Sequence, residues 1–436
     1  MLPPLFLSVR VPTLLARFRR ALFCEKLVSG LPRRGRLSII IFRLDAMGDV
    51  VMTTPLFREL KRTHPKSHCT VVLRHAFRPL LVTNPYIDEI LTLTELRTTW
   101  LPRRVQQLLA AMLLYWKHLR KKSYDIAISP RWDVDEDLAT MLCLLTNATE
   151  RIGYTEKASP LKQRLNRGFE AAFSIRLPGG PVRHEVVRNL AVVEAFGGTV
   201  HDSSLEVRLT ERDREFASRL LANVPSSAKV IALGIGAASA GRRWPLERYA
   251  ECISRLARKV EVQPIIVCSA AEREAALKLA ELLRCAPILL SGGPLREACA
   301  VLERCDLFIG NDSGTAHLAA AMDCKTIVIS RHPRDGDPNH GNSPLRFGPY
   351  CRRARVLQPA TGLAACTSCC RVLEPHCIKA VSVDDVVAAV RAMLGSKPTR
   401  AERWEPKLLL SCHHERASAR EGSAFPRNAL SPGGSP

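Results

Sequence analysis

The chain has 436 residues, 46% of them hydrophobic and 24% charged, which suits two or three globular domains and excludes disorder as the dominant state. Lys and Arg total 64 against 42 Asp and Glu, a net charge of +22; this favours anionic partners such as nucleotides, nucleic acid, phosphorylated sugars or acidic lipid without choosing among them. No stretch reaches the ~18–20 uninterrupted apolar residues of a membrane-spanning helix, so contact with a membrane remains open but crossing it does not.

Residues 1–37 form a basic N-terminal extension, with Arg10, Arg17, Arg19, Arg20, Arg33 and Arg34 opposed only by Glu25. Leu14, Leu15, Phe18 and Leu22 can line one side of a helix there, a pattern that fits either an anionic bilayer surface or a helix packed on the first domain. The arginines interrupt the apolar run, which argues against a secretory signal, although the composition also resembles a mitochondrial transit peptide. Cysteines such as Cys69, Cys143, Cys252, Cys268, Cys299 and Cys305 stand singly in apolar segments, as expected of buried free thiols in a reducing cytoplasm.

From Ser38 short apolar runs alternate with helical periods: Ser38–Phe42, a helix ending before Pro65, Cys69–Leu73, Glu89–Leu93, a long segment near 100–121, and Asp125–Ser129. Arg151–Tyr154 is a short run, 161–168 reads as loop, and His184–Phe196 as helix. Turn residues in "GGTVHDSS" and "NVPSSAK" place a connection near 200–228. The alternation then restarts with strand Val230–Leu233 and helix Pro245–Arg258, whose Leu246, Tyr249, Ala250, Ile253, Leu256 and Ala257 share a face and whose Pro245 suits a first helical position. Strands at 265–268, 287–290, 307–309 and 326–329 follow, separated by helices at 271–283, 294–303 and 313–322. Strands alternating with helices predict an α/β chain of two doubly wound parallel sheets, residues 38–210 and 228–395, with ligands at the carboxyl ends of the strands. Residues 396–436, rich in Gly, Ser, Pro and charge without period, read as a disordered tail, and its Cys412, His413 and His414 as a solvated cluster.

Two turns stand out. In "FRLDAMGDVVMTTP", residues 42–55, an apolar strand feeds through Gly48 into a helix and presents a carboxylate, Asp49, where such turns usually hold phosphates. In "DLFIGNDSGTAHLAAAMDCKTIVI", residues 306–329, a strand ends at Gly310. Asn311 or Asp312 can cap the next helix, leaving the amides of Ser313, Gly314 and Thr315 with the helix's positive end for an anion. His317 lies one turn in. "GRRWPLERY" at 241–249 puts Arg242 and Arg243 at the same rim, where arginine can bridge diphosphate oxygens. Glu272, after the next strand, can take a ribose hydroxyl or satisfy its own helix end. "GIG" at 234–236 is too short to be a dinucleotide fingerprint.

"RLDAMGDVVMTTPLFRELKRTHP", "YDIAISPR", "RIGY", "HEVVRNLAVVEAFGG", "RRWPLERYAECI" and "GNDSGTAHLAAAMDCKTIVI", in this order, resemble the ADP-heptose:lipopolysaccharide heptosyltransferases of glycosyltransferase family 9 over roughly 38–395. The resemblance implies the GT-B architecture, two Rossmann-like domains facing across a cleft, with the acceptor held mainly by the first and an ADP-heptose-like donor mainly by the second. It implies an inverting enzyme with neither metal nor cofactor that acts on a lipid-linked glycan at the cytoplasmic face of a membrane. By the same resemblance Asp49 is the catalytic base, with Gly48 and Arg43 beside it on the acceptor side. Arg242, Glu272, Asp312, Ser313, Gly314, Thr315 and His317 are the donor-binding set, with Arg242 standing where the family usually carries lysine. Helix-end stabilisation is expected to make Asp49 a weaker base than an ordinary aspartate.

Three patterns compete. "DVDED" at 133–137 and "DGD" at 335–337 have Asp-x-Asp spacing, which in other glycosyltransferases holds a divalent cation, but the paired-sheet reading argues against that class. Cys366, Cys369, Cys370, His376 and Cys377 offer enough donors for a zinc site, though a second Cys-x-x-Cys pair is missing. The net charge and "KHLRKK" at 117–122, beside Tyr115 and Trp116, raise a nucleic-acid binder without transferase activity as the rival of another class. Here no nucleic acid is expected, and the run reads as a solvated face or a guide for anionic lipid.

Overall fold

The computed structural model describes residues 36–96, 98, 100–362 and 376–395. The basic extension up to residue 35, the tail from 396 and the cysteines Cys366, Cys369 and Cys370 lie outside these residues.

Apolar runs that pack on both faces become parallel strands. The first sheet contains β1 (Ser38–Arg43), β2 (His68–Arg74), β3 (Glu89–Leu93), β4 (Ile126–Ser129), β5 (Glu150–Tyr154) and β6 (Ile175–Leu177) in the order β3-β2-β1-β4-β5-β6. The second contains β7 (Lys229–Gly234), β8 (Val262–Cys268), β9 (Ile288–Ser291), β10 (Leu307–Asn311), β11 (Thr326–Ile329) and β12 (Ala354–Leu357) in the order β12-β11-β10-β7-β8-β9. All pairs are parallel. Counted from its own first strand, each sheet has the 3-2-1-4-5-6 order of a dinucleotide-binding fold, with a switch point beside its first strand. Ile39, Ile40 and Ile41 are wholly buried, and Ile40 lies in register with Thr70 on one side and Ala127 on the other. Each such side chain contributes roughly 1.5–3 kcal/mol on burial. Each sheet has its own apolar core.

The helices follow the predicted faces with local differences. Helix Leu246–Ala257 buries Tyr249, Ala250, Ile253 and Leu256, but Cys252 joins that face and Ala257 is exposed. Pro245 caps this helix from outside instead of opening it, because its ψ of 139° is extended. The stretch expected to be loop at 161–168 contains helix Pro160–Leu165, started by the Ser159 hydroxyl, which accepts the Lys162 amide at 3.1 Å. Six residues are too few to show a period. Helix Ala139–Leu145 and the three-residue β6 escaped the sequence reading for the same reason. The connection near 200–228 carries helix Glu211–Leu220, capped reciprocally by Thr210 and Asp213 and tied to the second sheet's helix Leu295–Glu303 through Arg296–Asp213 at 3.4 Å.

Candidate active site

The two switch points meet. β1 runs into helix Met47–Met52 and β10 into helix Gly314–Ala321, and these helices pack on one another at their amino ends. A Cβ on Gly48 would stand 2.6 Å from His317 Cδ2, and one on Gly314 would stand 2.4 Å from Met47 Cε. Each helix presents a glycine to a side chain of the other. The carboxyl rim of the first sheet is thereby closed against the predicted donor turn of the second.

Asp49 is the third residue of its helix, and its Oδ2 accepts the Ala46 amide at 3.3 Å. The side chain is 12% exposed, with Arg131 Nη1 at 3.5 Å. The same guanidinium nitrogen holds Asp45 at 3.0 Å. Burial pushes the Asp49 carboxyl up to about 6; Arg131 opposes this, and the negative charge of Asp45 adds to it. The expected weakening by the helix end is overturned: desolvation outweighs it, and Asp49 is a stronger base than an exposed aspartate. Burial likewise acts upward on Asp45, but Arg131 and Arg43 prevail and hold it below the usual range. Two neighbouring carboxylates are thus driven apart in proton affinity.

Arg43 is 2% exposed, donates to Asp45 at 2.8 Å and reaches the Asn189 side-chain oxygen. Asn189 in turn donates to Met52 O at 3.0 Å. Arg43 therefore braces Asp45 and the Asp49 helix from behind, and Gly48 is covered by His317. Neither presents a free surface to an acceptor.

On the second lobe, Arg242 Nη2 donates to Asp312 Oδ2 at 2.8 Å and to Asp312 O at 2.7 Å. Asn311 does not cap the following helix. It is wholly buried, accepts from Trp244 N at 2.9 Å and donates to Ile235 O at 2.7 Å, locking "RRWP" onto the end of β7. The helix begins at Ser313 with no side-chain cap, so its first-turn amides stay free of one. Arg242 Nε, Ser313 Oγ and His317 Nδ1 are buried with no hydrogen-bond partner. Three orphaned polar atoms around one helix start suit an oxygen-rich anion. Burial keeps His317 below its usual range and neutral at pH 7. Thr315 lies in the first turn of the same helix. Glu272 Oε2 accepts from Ser269 N at 2.9 Å and Ser269 Oγ at 2.8 Å, capping its own helix, while Oε1 lies 2.2 Å from where a Cβ on Gly236 would stand. "GIG" is thus the wall that lets this carboxylate approach β7. Arg243 turns back to Ala237 O at 3.1 Å.

A charged cluster that the sequence reading passed over joins the lobes beside these groups. Arg346, wholly buried, donates to Glu185 Oε1 at 2.8 Å and to Asp133 Oδ2 at 2.9 Å. Arg188 reaches the same Glu185 oxygen at 2.7 Å and lies 3.6 Å over the Trp132 ring, with Arg346 4.6 Å from that ring. Only "HEVVRNL" and the Asp133 of "DVDED" hinted at it, since Arg346 comes from the four-residue helix Pro344–Phe347, which carries no motif. His184 accepts the Val186 amide on Nδ1 at 3.2 Å, so Nε2 carries the proton and donates to Gly348 O at 2.9 Å. Burial pulls His184 down to about 3, fixing it neutral.

The acidic runs have protein partners. Asp135 accepts from Thr140 N at 2.7 Å, Asp137 pairs with Arg74 at 2.6 Å, and Asp335 and Asp337 accept backbone amides. Among the described residues no group of three or more His, Cys, Asp or Glu could hold a metal ion, and the proposed zinc cluster falls mostly outside them.

Residues 112–368 match the family model "Glycosyltransferase family 9 (heptosyltransferase)". The chain belongs to glycosyltransferase family 9. The matched segment takes in Arg242, Glu272 and the 312–317 turn and begins after Asp49. Among relatives of this family 9 enzyme, a lipopolysaccharide core heptosyltransferase OpsX of Haemophilus influenzae is 26% identical over 318 residues, covering 72% of this chain and 82% of the relative. Lipopolysaccharide heptosyltransferase 3 of Escherichia coli K12 is 24% identical over 287 residues, covering 65% and 78%. The crystal structure of a family 9 glycosyltransferase from Veillonella parvula superposes with a TM-score of 0.65 at 20% identity, covering 83% of this chain and 98% of that one. E. coli heptosyltransferase WaaC with ADP gives 0.59 at 17%, covering 82% and 100%. These likenesses establish the GT-B fold, and the family makes the chain a glycosyltransferase, which removes the nucleic-acid binder without transferase activity.

Proposed function

We propose that this glycosyltransferase moves a heptose, or a related sugar, from an ADP-sugar to a lipopolysaccharide core or similar lipid-linked glycan, by a single inverting displacement without a metal. The observation that carries this reading is the apposition of Asp49 and the donor turn, with Gly48 against His317. Relatives bearing the name lipopolysaccharide heptosyltransferase, and neighbours solved with ADP and with ADP-2-deoxy-2-fluoro heptose, support the donor and acceptor classes. The acceptor hydroxyl gives its proton to Asp49 as its oxygen bonds the sugar's anomeric carbon from the face opposite the leaving group. The anomeric carbon–phosphate oxygen bond breaks, and ADP departs with the electron pair. Arg242 and the amides of Ser313, Gly314 and Thr315 balance the growing diphosphate charge, with the orphaned Ser313 hydroxyl and His317 ring as further contacts. Glu272 sits beside "GIG" to receive a ribose hydroxyl. No cofactor is required, and the enzyme works on the cytoplasmic face of the membrane.

A screen of ADP-sugars with product stereochemistry read by NMR tests donor and inversion together, and turnover in chelator tests metal independence. Asp49→Asn is expected to lower kcat by ~10²–10⁴-fold while ADP still binds. Because the folded carboxyl titrates at about 6 and the base must be ionised, activity should rise with pH through that value and level off above it. Full turnover by Asp49→Asn, or retention of the donor's anomeric configuration, would refute the reading.

A further inference from the structure

Beside β3 the first lobe carries a surface that the transfer chemistry does not use. Helix Arg103–Leu114, continued by a π-helical turn at Tyr115–Leu119, buries Ala110, Ala111, Leu114 and Leu119 in the first core. Its opposite side is apolar as well. Val105, Leu109, Leu113 and Trp116 are 36%, 42%, 60% and 58% exposed, and Trp100, just before the helix, is 77% exposed. Spaced four, four and three residues apart, the helical four form one stripe, and a contiguous exposed apolar patch marks an interaction site.

Charge selects the partner. Exposed Arg103, Arg104, Lys117, Arg120 and Lys121 border the stripe, and between Glu95 and Asp125 the sequence has no Asp or Glu. Arg120 lies 5.0 Å over the Trp116 ring, leaving its cationic head beside an indole. Leucines that can immerse, tryptophans at headgroup depth and surrounding cations are the chemistry of an anionic bilayer surface. Nucleic acid would use the cations but leave the leucines wet. A second copy would set one basic border against the other. The helix's amino end is fixed at the cleft rim: Arg104 donates to Glu136 O at 2.6 Å and Gln106 to Leu101 O at 2.6 Å, next to Arg74 with its partners Glu95 and Asp137.

We propose that the Trp100–Lys121 stripe docks this enzyme on an anionic lipid surface, with its Trp100 end bringing the cleft to a membrane-embedded acceptor. The inference rests on the reading of the acceptor as lipid-linked. The experiment is flotation of the full chain with phosphatidylethanolamine–phosphatidylglycerol vesicles, with pure phosphatidylcholine vesicles and duplex DNA as comparison arms, for the natural protein and Leu113→Glu/Trp116→Glu. Both substituted side chains are exposed, and circular dichroism checks the fold. The natural protein should float with the anionic vesicles and lose binding as salt rises, and the variant should bind at least about tenfold more weakly. Transfer to a membrane-embedded acceptor should fall in parallel, with ADP binding and transfer to a delipidated acceptor unchanged. Undiminished binding by the variant overturns the proposal, as does equal binding to duplex DNA or a dimer in sedimentation velocity that the variant abolishes. Failure of the natural protein to transfer to the delipidated acceptor would count against the heptosyl-transfer reading and leave the vesicle result standing.

Discussion

Asp49 owes its basicity to a balance of opposing terms. Burial favours the neutral carboxyl, Arg131 favours the charged form, and Asp45 disfavours it. Arg131 itself, held between Asp45 and Asp49, stays charged throughout the working pH range because its acidic neighbours outweigh the burial that would lower it. Arg131→Gln removes the stabilising cation, so the acid limb of the activity profile should move upward from about 6, by about one pH unit for a partner this close and partly solvated. A profile that stays put or moves down would show that Arg131 does not act on the base. The place of Asp49 was legible in "LDAMGDVV", because a strand, a glycine and a helix period are local. The direction of its shift was not, because it comes first from burial, which packing decides, and because two of the charges around it, Arg131 and Glu185, lie 82 and 136 positions away in the chain (131 − 49 and 185 − 49).

Two short helices turn that residue into part of a site. Helices Met47–Met52 and Gly314–Ala321 touch through Gly48 against His317 and Gly314 against Met47, but the two glycines are not equally constrained. An exposed helical Gly→Ala change gains ~1 kcal/mol of propensity, whereas overpacking costs ~1–3 kcal/mol. At Gly314 the nearest obstacle is the tip of Met47, which can swing aside; at Gly48 it is the His317 ring, itself 5% exposed. Gly48→Ala should therefore lower the urea midpoint and weaken ADP binding, while Gly314→Ala should be close to neutral in stability. Isothermal calorimetry with ADP and urea titrations would check the order, and equal effects at the two positions would contradict the packing argument. The 3.6-residue period made the long helices legible, including the buried face of Leu246–Ala257. Helices Pro160–Leu165 and Ala139–Leu145 are too short for that signal; Ser159 caps the first, and Asp135 accepts first-turn amides of the second.

The two lobes are joined by a buried cluster whose members come from three distant stretches: Asp133, Glu185 with Arg188, and Arg346. Burial pushes Asp133 up, but the Arg346 guanidinium, the Val134 amide and Arg131 outweigh it and hold the carboxyl below its usual range. A depressed carboxyl contributes stability above its unfolded value near 4 and loses it as pH falls through the folded value. Arg346→Met takes the shared cation from Asp133 and leaves Glu185 to Arg188 alone, a loss of at most the ~3–5 kcal/mol of a broken buried pair. Its deficit in denaturant midpoint should be largest near pH 7 and shrink below about pH 4. A deficit independent of pH would mean that Arg346 matters for packing alone. The doubly wound alternation, the acidic strand-to-helix turn, the glycine-bearing turn after β10 and the family were all readable from residues adjacent in the chain, because periodicity, turn chemistry and motif spacing are short-range. Which carboxylate is held more basic, that Arg43 is buried against Asp45 and Asn189, that Asn311 locks a loop instead of capping a helix, and that Arg346 clamps the lobes all arose when residues far apart in sequence were packed together, because desolvation and ion pairing act through space and are set by whichever groups the fold makes neighbours.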